Sequence, residues 1–161
     1  MAGKLAPKQI AQDSASDKQV LTWNNSTARW EPQLNPIALF LFGASNIATT
    51  TTTRFLWPSF ENETAPTTAI QFRVPSACTL RSLRVRHNTG AGNGGNVVYT
   101  VRKNSVATAL VVTMASTAND GSDLSNTVAF AAGDLLDIQV TKAAAIGTSP
   151  TNIMATLEAV A

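Results

Sequence analysis

From residue 80 onward the chain repeats one unit: a short run of β-branched and apolar residues, then a polar turn. The runs cover 80–86, 97–103, 108–114, 126–130, 135–141 and 153–158. Between them stand the Gly-rich stretch 88–96, Lys103-Asn104-Ser105, Asn119-Asp120-Gly121, Ala132-Gly133-Asp134 and residues 147–152. Side chains alternate along a strand with period two, so short strands separated by turn residues bury one face each and pair through tight connections. The pattern predicts an all-β chain folded as an antiparallel sandwich. No stretch sustains a helical period.

The same reading extends upstream. Pro36 opens the globular part, a domain over 36–161, with a first strand at 37–43 and a second where 49–54 leads into Phe55-Leu56-Trp57. Pro58 and Pro66 bracket a loop holding Glu61 and Glu63. Residues 68–74 alternate Ala69, Gln71 and Arg73 against Thr68, Ile70, Phe72 and Val74, a half-buried strand ended by Pro75. The total is about nine strands. Runs 80–86 and 97–103 are expected to pair as a hairpin across the Gly-rich tip. A second hairpin turns at Asn104-Ser105, where Asn tolerates the left-handed backbone of a tight turn.

Residues 1–35 differ from the rest. They are polar yet carry two of the three tryptophans, Trp23 and Trp30. Alone, such a segment buries too little apolar area to offset its ordering entropy. Leaving an indole in water is nonetheless costly. The turn-like run Asn24-Asn25-Ser26-Thr27 lies between the two indoles, so a small hairpin or hooked, extended arm is expected. Leu21, Trp23 and Trp30 are its candidate anchors on a neighbouring molecule.

Chemistry is sparse. Only 14% of residues are charged, against about 25% in ordinary soluble domains. Thr, Ser, Ala and Asn fill the difference, a surface suited to packing against copies of the same chain. Net charge is +2. Arg73, Arg81, Arg84, Arg86, Arg102 and Lys103 precede the acids Asp120, Asp123, Asp134 and Asp137; in a sandwich the two groups are placed to meet across a sheet or a subunit boundary, and the plain expectation is a solvated or ion-paired sheet face. Nucleic-acid binding would need aromatics among the basic residues, where only Tyr99 stands. Cys78 is the single cysteine, which excludes an intrachain disulfide and a dithiol redox motif.

The stretch 1–17 lacks the apolar core of a signal peptide. Residues 37–42 are too few to cross a bilayer, which takes about 20. The expectation is a soluble protein made inside the cell, with no membrane partner. A lone His87 removes most metal sites and histidine-based triads. Gly90–Gly95 lacks the Lys-Ser/Thr of a phosphate loop. Asn119, Asp120 and Asp123 are too few for a calcium loop and read as an Asp-Gly turn. Neither Glu61 with Glu63 nor Asp134 with Asp137 comes with an aromatic groove for a sugar. No enzyme, cofactor or metal is expected.

Two stretches resemble a known group. Gln19-Val20-Leu21-Thr22-Trp23-Asn24-Asn25 followed by Arg29-Trp30-Glu31-Pro32 is similar to a segment common in tail-fibre and other virion proteins of tailed bacteriophages, with Lys18 where that segment usually has Gly. Residues 81–141 resemble the jelly-roll heads of phage structural proteins, through Leu83-Arg84-Val85-Arg86, Val98-Tyr99-Thr100-Val101-Arg102-Lys103-Asn104 and Ala131-Ala132-Gly133-Asp134. The last of these is also similar to tumour-necrosis-factor-like trimers. The resemblance implies a virion protein with a jelly-roll β-sandwich, and it suggests a homotrimer.

Together these readings point to a non-enzymatic component on the surface of the phage particle. A fibre normally carries a long shaft, and none is visible here. The leading expectation is therefore a trimeric capsid decoration (cement) protein. Its arm would grip the major capsid protein or another virion protein. One rival is a receptor-binding head of a tail fibre or baseplate, using loops 88–96 and 143–152. The other is a carbohydrate-binding or carbohydrate-active module using Glu61 and Glu63.

Overall fold

The computed structural model describes residues 19–34, 36–48, 53–92, 95–142 and 147–160. They divide between two compact units, the first ending at Asn35 and the second spanning Pro36–Val160.

The first unit contains strands β1 (Gln19–Asn24) and β2 (Arg29–Leu34), paired antiparallel from Gln19↔Leu34 to Asn24↔Arg29. Of the two shapes the composition allowed, a hairpin forms. Its turn is built by side chains that compete for backbone groups. Asn24 Oδ1 accepts the Ser26 N–H at 2.9 Å, while Asn24 Nδ2 donates to Glu31 Oε2 at 2.8 Å. The Thr27 hydroxyl donates to the other Glu31 oxygen at 2.6 Å. Ala28 takes the left-handed conformation that closes the turn (φ 51°).

The second unit is all-β. Its strands are β3 (Pro36–Asn46), β4 (Thr53–Phe55), β5 (Trp57–Pro58), β6 (Phe72–Arg73), β7 (Cys78–Arg86), β8 (Val97–Lys103), β9 (Val106–Met114), β10 (Asp120–Phe130), β11 (Leu135–Lys142) and β12 (Thr151–Val160). One sheet runs β10-β7-β12-β3-β5, the other β4-β11-β8-β9 with β6 also on β11. Every strand pair is antiparallel. Alternation delivers one face of each sheet to a common core. Leu80, Leu83 and Val85 of β7 and Ile153, Ala155 and Leu157 of β12 share it with Val97, Tyr99 and Val101 of β8 and Leu136, Ile138 and Val140 of β11. This is the layering of a β-sandwich.

Where β9 and β10 edge the two sheets, they approach closely. A Cβ at Gly121 would lie 2.7 Å from Val112 Cγ1 and 3.0 Å from Met114 Cγ, so no larger residue fits without displacement. Asp123 closes the seam. Its Oδ2 accepts the Val111 N–H from β9 at 3.1 Å, and its Oδ1 accepts the Ser125 and Asn126 N–H groups. One carboxylate thus shapes the irregularity in β10 between Asp123 and Thr127 and occupies an edge donor of the opposite sheet.

Several expectations need correction. Segments 80–86 and 97–103 are not a hairpin, because β7 and β8 lie in different sheets. The Gly-rich stretch is a crossover, and the described part of it is tied down. His87 N donates to Asn119 O, Asn88 N to Thr151 O and Gly92 N to Ser116 O. Segment 68–74 is not one strand. Only Phe72 and Arg73 pair, with Leu136 and Leu135, because β4 occupies the same side of β11 from Gln139 to Thr141. Segment 53–57 breaks at Leu56, whose N–H turns to Ile138 O; residues 49–52 of that predicted strand lie outside the described residues. Asp120-Gly121 is no turn, since β10 starts there. The Asn104-Ser105 hairpin forms as the residues require, both positions being left-handed (φ 50° and 68°).

Candidate functional site

The hairpin register sets Trp23 directly opposite Trp30. Their rings meet edge to face, centroids 5.6 Å apart and planes at 67°, the arrangement the ring quadrupoles favour. Asn25 Oδ1 accepts the Trp23 indole N–H at 2.8 Å, which holds that ring across the turn. Despite their mutual contact, Trp23 and Trp30 remain 46% and 63% exposed. Leu21 faces Pro32 in the register, two positions from the tryptophan pair; its side chain lies outside the described residues. The carboxyl of Glu31, facing Thr22 in the register, is held below its ordinary value by the Thr27 hydroxyl and the Asn24 amide.

In the body, the outer face of the sheet containing β3 and β12 collects what the core does not take. Two register rows define it. Gly43, Met154, Arg86 and Asp120 stand side by side, and the next row is Leu41, Thr156, Arg84 and Ser122. Phe60 folds over Gly43, where a Cβ would strike its ring at 2.8 Å. Leu39, Phe60 and Met154 are 67%, 38% and 42% exposed. A depression of about 490 Å³ opens between Arg84, Arg86, Ser122, Met154 and Thr156. Sequence reasoning did not pick out this face. Its trace is the unbroken apolar run from Ile37 to Phe42, which does not alternate and so presents apolar groups on both sides of its sheet.

The basic and acidic runs meet within the chain. Arg102 grips Asp137 with two bonds, Nε to Oδ1 at 2.7 Å and Nη2 to Oδ2 at 3.0 Å, and Gln71 donates to Oδ2 at 2.9 Å. Lys103 pairs with Asp134 at 3.0 Å and Arg81 with Glu158 at 3.0 Å, while Arg86 and Asp120 approach to 3.6 Å. Asp134 is held down to about 2 by the Asn104 amide, the Ala131 N–H and Lys103.

The chemical candidates are dispersed. His87 is buried, its Nδ1 3.0 Å from Thr89 O, and its ring lies 6.3 Å from that of Tyr99. His87 Nε2 and the Tyr99 hydroxyl are both enclosed without a hydrogen-bond partner. Burial pushes the imidazole below its ordinary value, opposed by the Thr89 carbonyl and Asp120. Cys78 is buried and its thiol pushed up by that burial. Glu61 and Glu63 are exposed, and Asp123 is committed to the seam. Among the described residues no group of three or more His, Cys, Asp or Glu is placed to hold a metal, and no helix is long and apolar enough to cross a membrane.

The chain matches no known family of proteins and no curated protein.

Proposed function

We propose that the chain is a non-enzymatic structural protein of a tailed-phage virion, a homotrimeric capsid decoration protein whose N-terminal hairpin grips the major capsid protein. The strand orders support the finer fold this requires. β3, β12, β7 and β10 interleave strands from both ends of the body in one sheet, as β4, β11, β8 and β9 do in the other. This interleaving supports reading the sandwich as a jelly roll similar to that of tumour-necrosis-factor-like trimers.

The observation that carries the proposal is the exposed Trp23–Trp30 pair. A two-stranded hairpin is marginal alone in water. An enclosed tryptophan buries about 200 Å², so the fractions still exposed amount to roughly 220 Å². Covering them contributes about 5 kcal/mol at about 25 cal/mol per Å², before the cost of ordering the partners. Aromatic pairs of this kind are the usual energetic centre of an interface.

The test is binding to undecorated heads, read by co-sedimentation. The full chain is expected to bind. The truncation beginning at Pro36 and the double variant Trp23→Ala/Trp30→Ala are expected to bind at least about 100-fold more weakly. Unchanged affinity of the truncation refutes the proposal.

A further inference from the structure

Three charged side chains of the body differ from the rest. Among the described residues of Pro36–Val160, the Asp, Glu, Lys and Arg side chains have an ion-pair, hydrogen-bond or electrostatic partner, with the exception of Arg84, Glu61 and Glu63. One cation and two anions are left over, and all three are exposed.

Their placement keeps them apart within one molecule. Arg84 stands on β7, between Ser122 of β10 and Thr156 of β12. Glu61 and Glu63 lie in the loop after β5, beyond the far side of β3. Ser59 N donates to Leu41 O and Ser45 N to Glu63 O, so this loop runs along the free flank of β3. Between Arg84 and the loop lie β12 and β3, about 14 Å at the usual strand spacing. Along the strand direction, Glu63 is level with Ser45 while Arg84 is level with Leu41, a further offset of about 13 Å. Neither side chain spans that gap.

We infer that the Glu61–Glu63 loop of one copy docks on the Arg84 face of a second copy, the loop on one side of each subunit meeting the sheet face of the next. The inference rests on the trimer reading above and names its contact. Two different patches meet in this contact, so it is heterologous, and a heterologous contact forms a ring where its rotation closes. A trimer is the small ring that the proposed function requires.

Charge exchange tests it, with sedimentation velocity of the full chain as readout. The wild type is expected to form trimers that weaken as salt rises. Arg84→Glu alone is expected to weaken association about tenfold, as is Glu61→Lys/Glu63→Lys. Combining all three substitutions is expected to restore association to within about threefold of wild type. Arg84 has no ion-pair or hydrogen-bond partner among the described residues, so its reversal is expected to leave the subunit folded, which circular dichroism checks. A wild type that trimerises, with Arg84→Glu having no effect or the combined variant failing to recover, overturns this contact and leaves the trimer intact. A wild type that stays monomeric at micromolar concentration overturns both.

Discussion

Replacing Asp137 by alanine is the sharpest test of how the body is held together. Its carboxylate is fully buried, and the Arg102 side chain that binds it is 13% exposed. Both oxygens are used, by two guanidinium bonds and by Gln71. The guanidinium also lies 4.6 Å from the centre of the Phe55 ring, so it has no easy route to water. Removing the carboxylate leaves a buried charge uncompensated, a loss of about 3–5 kcal/mol. Unfolding entropy for a body of this size is about 0.26 kcal/mol per kelvin, so Tm is expected to fall by roughly 12–19 °C. The control is the apolar pair Arg102→Met/Asp137→Leu, which removes both charges and is expected to lie near wild-type stability. Calorimetry and urea titration read both variants. A loss below about 1 kcal/mol for Asp137→Ala, the range of an exposed pair, would show that water reaches the site. An apolar pair as damaging as the single substitution would refute the argument equally.

Three further predictions concern loops. Because the folded protein holds His87 below its ordinary value, the unfolded chain takes up the proton first. The contribution of the neutral imidazole is whole above about pH 6.5 and is lost as pH falls below it. Thermal melts from pH 7.5 to 5.5 are expected to decline for wild type and to flatten in that window for His87→Phe; an unaltered slope sinks the assignment. At the β8–β9 turn, Asn104→Ala is expected to cost about 1–2 kcal/mol. The Asn104 side chain donates to Asp134 at 2.7 Å and accepts the Leu135 N–H at 2.8 Å. Ser105→Gly is expected to gain about 0.5 kcal/mol by relieving a left-handed non-glycine residue. Urea midpoints separate these opposite signs.

Strands β8 and β11 were legible because they alternate cleanly, with Val97, Tyr99 and Val101 or Leu136, Ile138 and Val140 turned inward. β10 was half missed. Its polar outward residues Ser122 and Asn126 and the irregularity held by Asp123 interrupt the period that marks a strand. The tryptophans were visible as indoles in a polar segment. Their edge-to-face pairing depends on a register that the turn residues Asn24 and Thr27 set through Glu31, four to seven positions away.

The residues alone determine that this chain is built from strands and where most of them turn. These follow from local stereochemistry and from the two-residue period, which act over a few neighbouring positions. Tertiary structure alone decided that β7 and β8 part into different sheets, that Arg102 finds Asp137, and that Arg84 is left with no acid among the described residues. Such outcomes depend on which strands become neighbours. Strand pairing is settled by the burial of one shared core, a property of the whole body that no short stretch of chain contains.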